Sequence, residues 1–232
     1  VYKRQDYVSD IVVDSEGNTY ITIDSNSDTV IIGEDTLINQ GGFDGILVKY
    51  SPDMTPIWAR GIGSIGNERI WGIKIGADNY IYIIGSYNSD TLQVGMDTLI
   101  NQGLYDVVWA RYTTNGEATL AVSYGDGLNN FGEDIIASNT TIGIIGTSVS
   151  YSSSPANYRQ TFGVGNRTAF LKTYDMGADT LWMDEFPGYG LGAVMDDSSN
   201  IFMYGMNYET GTLTGFARKY NGTGGLEWEV PG

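Results

Sequence analysis

The sequence contains neither cysteine nor histidine. Without cysteine there is no disulfide framework, no zinc–thiolate site and no thiol nucleophile, and the cytosol and the cell exterior stay equally open as compartments. Without histidine the commonest general base and metal ligand is missing too. Basic residues are scarce: 12 Lys and Arg stand against 28 Asp and Glu, a formal net charge of -16. Such a chain repels nucleic acid phosphates and anionic lipid heads, so neither nucleic acid binding nor membrane insertion is expected. No apolar run approaches the roughly 18 residues that span a bilayer. Nor does a charged segment followed by an apolar one open the chain.

What is present points to strands. Hydrophobic residues make up 41% and aromatics 12% of the 232 residues, enough to bury a substantial core. The 32 glycines and 17 tyrosines, with frequent Thr, Asn and Ser, favour strands and tight turns over helices. The heptad DTLINQG occurs twice, at 35–41 and at 97–103. Sliding the sequence against itself by 62 positions aligns residues 11–50 with 73–112 without a gap, and 17 of those 40 positions are identical. A tandem repeat follows. Two fainter copies complete the chain. A basic residue closes an apolar run in GILVKY, VVWARY, AFLKTY and GFARKY, which equates Lys49, Arg111, Lys172 and Lys219. Nine or ten residues later stands Trp58, Leu120, Trp182 or Trp228. These landmarks set four units, about 7–66, 67–129, 130–187 and 188–231. Residues 1–6 match nothing else and read as a truncation or artefact segment of a chain cut from a longer protein.

Each unit reads as four short strands. In the first, DIVVD, TYITI, GILVKY and PIWARGI are bounded by turn residues in SEGN and SPDMT. Four antiparallel strands in a repeat of this length make a β-propeller blade, and such blades must stack to bury their faces. The expected fold is therefore all-β, a partial or open β-propeller with four blades. The connection from the second to the third strand carries the variation: the first two units share it, the third replaces it and the fourth drops twelve residues. Within it, TVIIGEDTLIN reads as an accessory hairpin around Gly33, and the heptad as its packing arm.

The stretches VVDSEGNTYIT, DTLINQGGFDGILVKY, PIWAR and DTLINQGLYDVVWARYTTNG resemble the bacterial seven-bladed β-propeller repeat family (SBBP). That resemblance runs from about residue 7 to the end. It implies a secreted or cell-surface bacterial protein, a non-catalytic scaffold for a protein or carbohydrate ligand, and further blades in the same polypeptide. The later units depart from the pattern: Asp44 and Asp106 give way to Arg167 and Thr214, and Trp58 to Leu120.

Candidate chemistry is sparse. Asp24, Asp28, Asp35 and Asp44 cluster in sequence and suit calcium, but no DxDxDG loop closes with a Glu, and turn aspartates bond their own backbone. No cofactor is expected, with calcium the one metal considered. Asp44 and Asp106 precede an apolar strand and are read as tying down backbone amides between blades. The four cations are read as snorkelling surface residues, and Trp58, Trp182 and Trp228 as core. The tripeptide Asp-Thr-aliphatic resembles the O-glycan acceptor of exported Bacteroidetes proteins and marks Thr29, Thr36, Thr91, Thr98 and Thr180. The sequons at Asn139, Asn166 and Asn221 matter only in an N-glycosylating host. The rival reading is a fragment of a propeller enzyme, hydrolase, lyase or quinoprotein-like, with its catalytic groups in missing blades. The sialidase box and the vicinal cysteines of quinoproteins are absent.

Overall fold

The computed structural model describes residues 6–150, 167–209 and 212–231. Within them every element is a strand. The first unit holds β1 (Asp6–Val13), β2 (Thr19–Ser25), β3 (Thr29–Ile32), β4 (Asp35–Ile38), β5 (Asp44–Tyr50) and β6 (Pro56–Ile62). The second holds β7 (Glu68–Ile75), β8 (Ile81–Tyr87), β9 (Thr91–Val94), β10 (Asp97–Ile100), β11 (Asp106–Tyr112) and β12 (Ala118–Tyr124). Every strand of the second unit lies 62 residues after its counterpart, so the sequence offset is also the structural one. The third unit comprises β13 (Asn129–Ala137), β14 (Ile142–Val149), β15 (Arg167–Tyr174) and β16 (Thr180–Pro187). The fourth comprises β17 (Tyr189–Met195), β18 (Ile201–Glu209), β19 (Thr212–Tyr220) and β20 (Leu226–Pro231).

Four four-stranded antiparallel sheets result, in the orders β1-β2-β5-β6, β7-β8-β11-β12, β13-β14-β15-β16 and β17-β18-β19-β20. The pairs β3/β4 and β9/β10 form separate two-stranded hairpins. The connection between β14 and β15 that replaces them in the third unit lies outside the described residues. In the fourth unit the lost twelve residues turn the connection into a direct continuation of the sheet, with β18 and β19 paired out to Glu209 and Thr212.

Turn chemistry explains where the strands stop. Asp14 Oδ1 accepts the amides of Glu16 and Asn18, and Asp196 Oδ1 those of Ser198 and Asn200, so these aspartates hold the β1–β2 and β17–β18 turns by bonding their own backbone. Between third and fourth strands the turn needs a left-handed residue, supplied by Met54, Gly116, Ala178 and Gly224.

Side chains alternate across each strand, and each inner sheet feeds two cores. On β11, Val108, Ala110 and Tyr112 join Tyr20, Leu47 and Trp58 of the first unit. Val107 and Trp109, on the opposite face, join Ile135, Ile144 and Phe170 of the third. A further cluster joins the third and fourth units through Ile145, Leu171 and Phe186 with Ile201, Met203 and Phe216. The end sheets each have one uncovered face. Val8, Ile11 and Val13 are exposed although their counterparts Ile70, Ile73 and Ile75 pack against the first sheet. At the far end Val194, Tyr204 and Val230 are exposed as well.

The first strand of each sheet is an edge strand, and β1 meets β7, β7 meets β13 and β13 meets β17. Each carries one bulge, between Val8 and Asp10, Ile70 and Gly72, Gly132 and Asp134, and Gly190 and Gly192. An edge and a bulge both leave amides without ladder partners, and burying them unpaired is costly.

Candidate functional site

The hairpins that project from the first two sheets are built by the repeated heptad, and its residues divide between holding and display. Asp35 Oδ2 accepts the amide of Ala59 on the edge strand β6 at 2.7 Å, and Asp97 Oδ2 that of Ala121 on β12 at 2.8 Å. The carboxylate thereby latches the hairpin to an otherwise open sheet edge. Asn39 Nδ2 donates to the Ser25 carbonyl, and Asn101 Nδ2 to that of Tyr87. The amide of Gln40 donates to Asp44 Oδ2 at 2.9 Å, and that of Gln102 to Asp106 Oδ2 at 2.8 Å. Leu37 and Leu99 point inward against their sheets.

The outer faces carry the residues singled out as glycan acceptors. Thr29 pairs with Ile38 and Ile31 with Thr36, and all four are exposed. Thr91 pairs with Ile100 and Gln93 with Thr98, again exposed, with Thr98 Oγ1 donating to Gln93 Oε1 at 2.6 Å. Met96 at the second hairpin turn is 95% exposed. Thr180, at the start of β16, is exposed too but lies on a strand rather than a hairpin.

Asp44 and Asp106 take a different place from the one expected. Each is buried, and each bonds the turn four residues upstream in its own unit instead of an amide of the neighbouring sheet. Burial raises both carboxyls above the ordinary carboxylate value, opposed by the Gln40 and Gln102 amides respectively. Register puts Thr168, not Arg167, at their place in the third unit, while Arg167 lies over the Tyr189 ring, 5.0 Å from its centroid.

The amides between sheets are held by residues that the self-alignment did not flag. Asp24 Oδ1 accepts from Ile70 at 2.9 Å, Ser86 Oγ from Gly132 at 3.2 Å and Thr147 Oγ1 from Gly190 at 3.3 Å. These three acceptors share one repeat position, and the three donors are the residues just before the bulges. Asp10 Oδ2 accepts from Ile73 and Asp134 Oδ2 from Ala193, both at 3.1 Å. The signal was an oxygen-bearing side chain kept at a position whose identity changes, which an identity count overlooks.

Three of the four cations and two of the three tryptophans prove to be joint residues as well. Lys49 Nζ donates to the Thr114 carbonyl at 3.2 Å, and Arg111 Nη1 to the Met176 carbonyl at 3.1 Å, each in the turn of the following unit. They are clamps rather than snorkelling surface residues. Lys172 is not their equivalent. Strand register puts Thr173 opposite Trp182, as Lys49 is opposite Trp58, so Lys172 faces the other way, over the Tyr124 ring of the preceding unit at 4.6 Å. Lys219 pairs with Glu227 at 2.6 Å. Trp58 is buried and its Nε1 donates to the Thr114 carbonyl at 3.2 Å, while Gly116 of the same turn covers its ring. Gly224 covers Trp182 in the same manner. Trp228 is 41% exposed and is therefore not core.

The four aspartates considered for calcium go separate ways. Asp24 serves the sheet joint, Asp35 the hairpin latch and Asp44 its own turn, while Asp28 offers its carbonyl to the Asn39 amide. Among the described residues no group of three or more acidic side chains is placed to hold a metal ion.

No family model matches the sequence, and no curated protein matches it. Similar solved structures include a Bacteroides caccae protein of unknown function, 7% identical, with 98% of this chain and 82% of that one covered and a TM-score of 0.46. Drosophila Plexin A in complex with Semaphorin 1b is 9% identical over 94% of this chain and 54% of that one, with a TM-score of 0.28. Drosophila Semaphorin 1b, extracellular domains 1-2, is 10% identical over 95% and 55%, with a TM-score of 0.30. At these scores the likenesses carry no argument about family or activity.

Proposed function

We propose that the chain is a non-catalytic repeat scaffold that binds a protein or carbohydrate partner at the outside of a bacterial cell, built as an open four-bladed segment of a β-propeller of the SBBP kind. The observation that carries this reading is the division of labour among its polar side chains. The buried oxygens of Asp24, Ser86 and Thr147 are engaged with backbone amides at the joints, and the half-buried Asp35 and Asp97 with amides at the latches. The strand side chains left facing out on the hairpins are threonines and Gln93 interleaved with Ile31, Ile38 and Ile100. Solvated apolar residues on projecting loops fit recognition better than turnover. Successive sheets joined through their first strands support the blade reading, and the uncovered Val8, Ile11 and Val13 face suits a further blade of the same polypeptide.

The test is a binding screen of the intact chain against glycan and protein arrays, repeated with Ile31→Ser, Ile38→Ser, Met96→Ser and Ile100→Ser combined. A partner whose binding falls about tenfold or more in that variant supports the scaffold reading. Turnover of an arrayed glycan, or a partner indifferent to the four changes, overturns it.

A further inference from the structure

The first and second units enclose the same space between hairpin and sheet but fill it differently. In the second unit Tyr87, fully buried, reaches across it: its hydroxyl lies 2.8 Å from Ser123 Oγ, which in turn donates to Asp106 Oδ2 at 3.5 Å. Leu92, Leu99 and Val108 belong to the same buried cluster. In the first unit the 62-residue offset places Ser25 where Tyr87 stands and Gly61 where Ser123 stands. The ring and the hydroxymethyl group are both missing, and the Ser25 hydroxyl turns away to donate to Asp6 Oδ1.

What the two small residues leave is a cavity of about 240 Å³. One wall is apolar, from Val30, Leu37 and Ile46, and the other polar, from Ser25, Asn39 and Asp44. Val30 and Leu37 are only half-buried, whereas their counterparts Leu92 and Leu99 are buried. Asp44 itself is 7% exposed and accepts one hydrogen bond, from Gln40, against two for Asp106. Oδ1 is buried without a partner in both carboxylates, so the difference between the units is the donor that Ser123 supplies and Gly61 does not.

We propose that this cavity binds a phenolic ring, presented as a free phenol or as a tyrosyl side chain of a partner polypeptide, with the hydroxyl donating to the Asp44 carboxylate. The second unit is the template for the ring: there the Tyr87 hydroxyl meets Ser123 Oγ, which donates on to Asp106, and with Gly61 in the serine's place the ligand hydroxyl takes over that donor's role. An apolar cavity of about 150 Å³ suffices for benzene, so this one admits the ring with its substituents. The acidic wall selects a hydroxyl donor and rejects a carboxylate or phosphate. This site deepens the scaffold reading by naming a ligand class for it. Ile38 borders both this cavity and the outer hairpin face, but p-cresol is titrated into the unaltered chain, so a failure here leaves the array result untouched.

The experiment titrates p-cresol into the intact chain by calorimetry or ligand-observed NMR. Saturable binding is expected with a Kd on the order of 1 mM, reasonable for so small a ligand. Ser25→Tyr with Gly61→Ser rebuilds the second unit's filling and should weaken binding about tenfold or more. Where that pair does not fold, toluene decides with the unaltered protein: lacking the hydroxyl, it should bind about fivefold to tenfold more weakly. Equal affinity for p-cresol and toluene, p-cresol binding that survives in the folded rebuilt pair, or methyl glucoside binding in place of p-cresol overturns the proposal. A capped tyrosyl tripeptide that binds about tenfold tighter than p-cresol identifies a partner polypeptide as the source. A tripeptide that binds no tighter identifies a free phenol.

Discussion

The amide of Ile70 donates to Asp24 Oδ1 at 2.9 Å across the joint between the first and second sheets. The same two repeat positions meet again as Gly132 with Ser86 and as Gly190 with Thr147. A carboxylate and two hydroxyls therefore do one job. Asp24→Ala leaves a buried amide unpaired and should cost about 1–3 kcal/mol. Asp24→Thr, which installs the third unit's solution, should recover most of that. Denaturant unfolding of the three proteins checks the order, and an Asp24→Thr variant as weak as Asp24→Ala would contradict it.

Gly116 and Gly224 lie in left-handed turns with φ of 82° and 87°, and a Cβ on them would stand 3.0 Å from the Trp58 ring and 2.6 Å from the Trp182 ring. Either Gly→Ala change should destabilise by more than about 1 kcal/mol, from backbone strain and contact with the indole together. Trp228→Ala, by contrast, removes a side chain that no turn covers and should change stability by about 0.5–1 kcal/mol at most. Thermal melts distinguish the two sites directly.

Stability should rise on mild acidification. Burial raises the carboxyls of Glu68, Asp44, Asp106 and Asp134 above their ordinary values. The folded chain therefore holds protons that the unfolded chain has released, and their contribution is present at low pH and lost as pH rises through the raised values. Asp196 works in the other direction: the Asn200 side chain and amide hold it low, and its contribution is lost as pH falls through its lowered value. The melting temperature should thus climb as pH falls from neutral through the raised carboxyl values, with a decline in stronger acid. A melting temperature that drops steadily from pH 8 to pH 5 would refute the assignment.

The latch aspartates should be separable from the sheets. Asp35→Ala and Asp97→Ala release the hairpins while the four-stranded ladders stay paired. Amide exchange should quicken at Ala59 and Ala121, the residues whose N–H groups the carboxylates hold. Exchange at Val48 and Ala110, on the inner strands, should stay slow.

Thr29, Thr36, Thr91, Thr98 and Thr180 are all exposed, as glycan attachment requires. Intact-mass measurement on protein from its native host should show added hexose-type increments that map to these threonines. A mass equal to the bare chain would rule the modification out.

The strand framework was readable because the repeat is gapless: an offset of 62 found in letters such as NSDT and DTLINQG is the offset of six successive strands. Lys172 shows the limit. AFLKTY and GILVKY look alike, but one extra residue before the tyrosine moves the lysine to the opposite face of its strand, and only register reveals it. The joint acceptors were hidden for another reason. Asp24, Ser86 and Thr147 share an oxygen at one place in space and nothing that an alignment of letters scores. The cavity under the first hairpin was equally silent, because Ser25 and Gly61 are unremarkable until seen beside Tyr87 and Ser123.

The covered indoles bear on how so repetitive a chain folds without confusing its own parts. Where the first and third units offer Trp58 and Trp182, the following turns supply glycine; where the second offers Leu120, the third supplies Ala178. A wide surface is met by a bare backbone and a narrower one by a methyl group. Exchanging neighbours would bring Ala178 against an indole, where there is no room for its Cβ. The docking of the repeated units is thus keyed where Ala178 and an indole would meet, and that misdocking, the characteristic hazard of tandem repeats, is disfavoured by size alone.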